Sequence, residues 1–215
     1  MKIAIILSGC GNRDGSELQE TLSLLLAIDR RGWQYQCFAP KGKYNVVSHT
    51  DGNETGEQRD LFAESARIAR GDLRPIAEYR PADYDALALP GGMGAARNLS
   101  SYAFDGARMT VRQDVADAIL QTHEARKPVV AMCIAPMVLA CVLGKKGVKL
   151  TLGHPGPASK AAEAMGAVQV DCGPVDVCVD RDNLVLTTPA YMVASRISEI
   201  FQGGENLIAQ LEKFQ

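Results

Sequence analysis

Short apolar runs alternate along this chain with longer segments whose apolar residues recur at helical spacing. The first run, in KIAIILSG, is a buried strand followed by the loop CGNRDGS. Leu18, Leu22, Leu25, Leu26 and Ile28 then predict one apolar helix face over about Glu17 to Arg31, and Gly32 ends it. WQYQCFAP is a second strand and VVSHT a short third. A polar loop, Asp51 to Gly56, leads into EQRDLFAESARIARG, where Leu61, Phe62, Ala66 and Ile68 predict a helix. YDALALP is another core strand and opens into the long glycine-rich loop GGMGAARNLSSYAFDGARMT, after which a helix over Val111 to Ala125 returns the chain to Pro128.

The hydrophobic period then changes at one cysteine. Val129 to Met132 form an apolar run of the kind found in strands covered on both faces, while Ile134, Met137, Val138 and Cys141 fall at helical spacing up to Gly144. Cys133 is therefore expected in a tight strand-to-helix turn. Pro136 fits the first helical turn, whose N–H groups have no intrahelical partners. Beyond it, VKLTLGH is a strand ending at His154 and PASKAAEAMG a helix closed by Gly166. AVQVDC, VDVCVD and LVLTT are strands, the last two a hairpin across RDN. Thr188 and Pro189 suit the cap and first turn of a helix running to about Phe201, and a final helix covers Glu205 to Phe214.

Strands alternating with helices over 215 residues predict one doubly wound α/β domain over 1–215, its sheet mainly parallel with the hairpin at one edge. A formal charge of −2 gives no electrostatic case for nucleic acid or an anionic membrane. No apolar run approaches the roughly 20 residues of a membrane helix. The six cysteines are scattered without CxxC or zinc-like spacing, so no metal site is expected; they suit reduced thiols in a cytoplasmic compartment.

In such folds ligands bind outside the carboxyl ends of the strands. The Cys10 to Glu17 loop, Gly91 with Gly92, Cys133 and His154 all fall at that edge. A thiol at a helix N-terminus faces unpaired N–H groups, which favours thiolate; alternatively Cys133 is a small buried apolar residue. Gly91 and Gly92 permit close approach of backbone to a ligand, or simply make a flexible connector; the pattern is not GxGxxG, so no dinucleotide site is expected. In DGSE, Asp14 could cap the first helix with Glu17 as its reciprocal partner, or Ser16 could cap it with Gln19 and leave Glu17 free.

Taken together, LALPGGMGAARNL, AMCIAPM, DGSELQE, ESARIARG and LTTPAYM resemble the ElbB family, a cofactor-free branch of the superfamily holding PfpI-type proteases, glyoxalase III-like enzymes and class I glutamine amidotransferase domains. The resemblance spans nearly the whole chain. It implies the flavodoxin-like form of the fold, a cysteine nucleophile at Cys133, an acidic partner at Glu17 and glyoxalase-type activity on small dicarbonyls such as glyoxal, without cofactor, in a homodimer. His154 stands where many superfamily relatives carry a histidine partner, which the ElbB branch keeps irregularly. The mechanism expected is attack of Cys133 on an aldehyde, with N–H groups near Gly92 and Ile134 holding the oxyanion and Glu17 moving a proton between adjacent carbons.

Three other readings stay open. Amidase or amidotransferase chemistry conflicts with Met132 and Ile134, which flank the cysteine where such relatives keep glycines. A thiol protease would need a secure histidine. A redox sensor could use the same Cys133, with Cys10 nearby. Arg97 and Asn98 could hold an anionic group or serve only as loop contacts.

Overall fold

The computed structural model describes residues 1–214. In chain order its elements are β1 (Lys2–Ile6), α1 (Leu18–Asp29), β2 (Gln34–Ala39), β3 (Lys43–Val47), β4 (Glu54–Asp60), α2 (Leu61–Ile68), β5 (Leu73–Pro75), β6 (Ala86–Leu89), α3 (Met93–Arg97) and α4 (Tyr102–Asp105). The second half adds α5 (Gln113–Glu124), β7 (Val129–Met132), α6 (Pro136–Leu143), β8 (Lys149–Leu150), α7 (Pro157–Ala164), β9 (Val168–Gln169), β10 (Cys178–Asp180), β11 (Val185–Thr188) and α8 (Ile197–Leu211).

Seven strands form the central sheet in the order β10-β11-β7-β6-β1-β2-β5. All neighbours are parallel except the β10–β11 edge hairpin, as the sequence pattern predicts. Every residue of β6, β7 and β11 is buried, because helices cover both faces, and this is why these strands read as unbroken apolar runs. From β1 the chain first winds outward through β2 and β5, then crosses to β6 and winds the other way through β7 and β11. The reversal between β1 and β6 opens a crevice at their carboxyl ends, into which the loops after β1, β6 and β7 converge.

Several segments differ from the sequence expectations; the glycine-rich loop, for one, contains the short helices α3 and α4. The polar stretch expected as loop and helix start is the strand β4, paired antiparallel with β3 in a separate ribbon. Nearly all of it is exposed, so it carries no alternating pattern to reveal it. Its last residue, Asp60, caps α2 by accepting from the Ala63 N–H at 2.7 Å. VKLTLGH and AVQVDC leave the central sheet: β8 and β9 are two residues each and pair only with one another.

The two helices expected at the C-terminal end are one, α8. Gly203 and Gly204 lie inside it rather than between helices, and a Cβ on Gly204 would stand 2.5 Å from Ser23 Oγ, so this glycine lets α8 approach α1. Thr188 does not cap a helix; its hydroxyl donates to the Asp176 carbonyl at 2.8 Å, and a short turn over Ala190–Met192 precedes α8. On α1 the buried stripe is Glu20, Leu24, Ala27 and Ile28, whereas Leu18 and Leu22 are exposed. The leucines drew the expected face toward solvent, and a glutamate belongs to the true one.

Candidate active site

Cys133 follows β7 directly and adopts φ 57°, a left-handed backbone conformation that costs a non-glycine residue about 1–2 kcal/mol. Its N–H donates to the Thr188 carbonyl at 3.0 Å, continuing the β7–β11 ladder by one residue, and α6 begins three residues later with Pro136. The turn thus swings the thiol off the end of the sheet toward the loop after β6. The Gly92 and Ile134 N–H groups lie near enough to the sulfur to favour its ionised form.

That loop meets the loop after β1 at van der Waals limits. Gly92 has φ 96°, and a Cβ on it would stand 2.4 Å from both Glu17 N and Gly15 O. Gly91 accepts the Glu17 N–H at 3.0 Å through its carbonyl. Asn98 ties the same loops together, donating to the Ser8 carbonyl at 2.9 Å and the Asp14 carbonyl at 2.7 Å. Of its two expected roles, Asn98 therefore fills the structural one.

Glu17 is itself the cap of α1, and its Oε2 accepts the Glu20 N–H at 2.7 Å. Neither cap suggested by the sequence is used. Asp14 instead accepts the Val47 N–H, and Ser16 Oγ accepts the Ser8 N–H. Half-burial raises the Glu17 carboxyl above its ordinary value, against the N–H groups of its own first turn.

The acid packed beside Cys133 is Glu20, one turn further along α1, which the sequence reading missed. Its side chain is wholly buried; Oε1 receives the Tyr191 N–H at 3.4 Å and Oε2 has no hydrogen-bond partner within the protein. Burial first, then the neighbouring Glu17 charge, push the Glu20 carboxyl up to about 7. An acidic residue in register with Leu24, Ala27 and Ile28 on a buried helix stripe was the available signal.

These surroundings reverse the expectation of a thiolate. Burial and the Glu20 charge push the Cys133 thiol well above its ordinary value, and the Gly92 and Ile134 N–H groups oppose them only in part. Donors at the helix terminus are outweighed here by desolvation of the sulfur and by the adjacent carboxyl. The residue is nevertheless not sealed: Cys133, 9% exposed, lines an open cavity of about 480 Å³ together with Glu17, Glu20, Gly92 and Ile134.

His154 is not in this cavity. It lies exposed, with Nδ1 2.6 Å from Asp171 Oδ1, and Pro157 and Ala158 of the same connection reach the cavity wall instead. The pairing of β8 with β9 rather than with the central sheet carries His154 away from the crevice. Cys10 does not line the cavity either; it bridges to Ser16 within its own loop. Among the described residues, no group of three or more His, Cys, Asp or Glu side chains is placed to hold a metal ion. No helix among them is long and apolar enough to cross a membrane.

A cysteine in left-handed backbone between strand and helix, one strand from the switch point of a doubly wound sheet, defines an α/β protein of the class I glutamine amidotransferase-like kind. No protein-family model matches the chain. Among curated proteins it is 38% identical to the rat (Rattus norvegicus) "ES1 protein homolog, mitochondrial" over 213 residues, covering 94% of this chain and 79% of that one. The figures are the same for the human (Homo sapiens) "Glutamine amidotransferase-like class 1 domain-containing protein 3, mitochondrial". A crystal structure of an isoprenoid biosynthesis protein with an amidotransferase-like domain from Ehrlichia chaffeensis matches with TM-score 0.92 and 33% identity, covering all of both chains. The chain belongs to the ElbB family, within the superfamily of PfpI, DJ-1 and class I glutamine amidotransferase-like proteins.

These relatives overturn the expectation of a cytoplasmic protein, since the rat and human proteins are both named mitochondrial. The expectation rested on thiols free of disulfides. All six cysteines are indeed free, but free thiols report a reducing environment and do not distinguish one reducing compartment from another.

Proposed function

We propose that the chain, acting as one domain, is a glyoxalase-type enzyme that converts a 2-oxoaldehyde to the 2-hydroxy acid through a hemithioacetal on Cys133, with Glu20 moving the protons. The observation that carries this reading is the packing of the Cys133 thiol beside a buried carboxyl whose Oε2 is unpartnered, in an open cavity. Such an oxygen, beside the thiol, is placed to take its proton as the sulfur adds to a substrate.

Glu20 carboxylate takes the thiol proton as the sulfur adds to the aldehyde carbon; the C=O π pair moves to oxygen, which rests against the Gly92 and Ile134 N–H groups. The proton returns to that oxygen and gives the hemithioacetal. Glu20 next removes the C–H proton of the sulfur-bearing carbon, and the electron pair forms an enediol. Reprotonation of the neighbouring carbon leaves a 2-hydroxy thioester. Water hydrolyses it, releasing the acid and restoring the thiol. Each turnover adds one water and needs no external oxidant or reductant.

A carboxyl raised to about 7 suits this shuttle, because it gives and takes protons near neutrality. An amidase or protease reading is weakened by the absence of any histidine from the cavity lining. A peroxide-sensing reading is weakened by the raised Cys133 thiol, since oxidation proceeds through the thiolate. The homodimer implied by the family resemblance is part of the proposal, with exposed Leu18 and Leu22 of α1 as apolar surface for it to cover. Sedimentation tests that part separately.

For the chemistry, purified protein incubated with glyoxal or methylglyoxal should yield the 2-hydroxy acid by NMR, and Cys133→Ser and Glu20→Gln should each abolish it. Full turnover by Cys133→Ser would dispose of the mechanism.

A further inference from the structure

The cavity around Cys133 is far larger than glyoxal and is chemically one-sided. Its catalytic corner holds the thiol, Glu20 and Glu17. Apart from Asn12 in the loop after β1, the remaining wall is apolar or aromatic, supplied by Met93 of α3, Tyr102 of α4, Ile134 after β7, Pro157 and Ala158 of α7, and Tyr191 with Met192 from the turn before α8. Elements from separate parts of the chain thus each contribute an apolar or aromatic side chain to one space. A volume near 480 Å³ falls in the range of sites that enclose ligands of drug-like size, whereas glyoxal has no side chain to fill it.

No lysine, arginine or histidine lines this space. Arg13 and Lys160, one and two residues from the lining residues Asn12 and Ala158, do not line it, and Arg97 at the far end of α3 is committed elsewhere: it pairs with Glu54 and lies 5.1 Å over the Phe104 ring. Glu17 meanwhile adds a carboxyl at the cavity. A substrate bearing a carboxylate or phosphate would therefore meet like charge and no counter-ion. An uncharged apolar group would bury itself against Met93, Ile134 and Met192.

We infer that the aldehyde this site accepts carries an uncharged apolar substituent, aromatic or branched aliphatic, and that Met93, Tyr102, Ile134 and Met192 select for it. The inference rests on the proposed aldehyde chemistry for the word aldehyde, and on the cavity wall for the rest. Met93, Tyr191 and Met192 remain 36–38% exposed, so much of the wall stays wet until such a group covers it.

Two measurements test it. The first compares kcat/KM for glyoxal, methylglyoxal, phenylglyoxal and the para-carboxylate of phenylglyoxal, each normalised to its rate of addition to a free thiol. Phenylglyoxal should exceed glyoxal by about tenfold or more, its carboxylate should fall about tenfold below it, and Met93→Lys should narrow that second gap. The second needs no turnover: mass spectrometry follows alkylation of Cys133 by N-benzyl iodoacetamide, iodoacetamide and iodoacetate, each relative to glutathione. The benzyl reagent should be fastest and iodoacetate slowest. Glyoxal turned over as well as phenylglyoxal, or iodoacetate as fast as the benzyl reagent, overturns the inference while leaving the aldehyde chemistry intact. Absence of turnover on every aldehyde with the alkylation order preserved would instead remove the proposed reaction and support the apolar selectivity.

Discussion

Glu20 and Cys133 are packed against each other across Gly91. A Cβ at position 91 would lie 2.4 Å from Glu20 Oε2 and 2.5 Å from the Cys133 Cβ, so the absence of a side chain there is what lets an acid from α1 and a thiol from the β7–α6 turn share one space. Contacts that short do not occur between real atoms, and neither neighbour is the far end of a flexible surface chain. Gly91→Ala must therefore separate the pair. We expect kcat on a 2-oxoaldehyde to fall by about a hundredfold or more. Overpacking should cost about 1–3 kcal/mol of stability. Steady-state kinetics and urea unfolding on the same preparation measure both. An alanine variant with unchanged kcat would mean that the two side chains do not act together.

Glu20 also makes the fold pH-sensitive, with a definite sign. Its carboxyl is near the ordinary value in the unfolded chain and is raised to about 7 in the folded one, so the folded state holds the proton more tightly. The resulting stability is fully present below the unfolded value and is lost as pH rises through about 7, a shift equivalent to about 3 kcal/mol. Glu20→Gln keeps the shape and removes the titration. Relative to the unmodified chain it should gain up to about that amount between pH 5 and pH 8, read as the difference of urea unfolding curves. The same substitution takes a negative charge from beside the sulfur, so Cys133 should react faster with iodoacetamide at neutral pH. A parallel pH dependence in the two proteins would show that Glu20 does not titrate as its burial requires.

How far the sequence revealed this site depends on whether a residue's position is set by its neighbours in the chain or by distant packing. The change of period at Cys133 is local and was legible: four apolar residues, a turn and a helix lie within one short stretch. The glycines at 91 and 92 were visible as permissive, but what they approach, Glu20 and Gly15, is fixed only by the sheet order. Glu17 and Glu20 are separated by a single helical turn, and choosing between them required the buried face of α1, which exposed Leu18 and Leu22 obscured. His154 was misplaced for a related reason. A strand at that point in the sequence suits the central sheet, and nothing local distinguishes that from a two-residue strand paired beside it.

Glu17 separates a tuning role from a catalytic one. It caps α1 through the Glu20 N–H, and its charge is the second cause of the raised Glu20 carboxyl. Glutamine at position 17 retains a side-chain oxygen that can accept the same N–H, so the helix start is kept while the charge is lost. Without that charge the Glu20 carboxyl should ionise at lower pH, and since the proposed cycle begins with Glu20 as carboxylate, the acid limb of kcat/KM should move to lower pH. The plateau above neutrality should hold. Were Glu17 itself to carry the proton between carbons, Glu17→Gln would instead lower the plateau by about a hundredfold or more and leave the surviving profile where it was. A full pH–rate profile of this one variant therefore distinguishes the two carboxyls, because a shift of the limb assigns Glu17 to tuning and a collapse of the plateau assigns it to the chemistry.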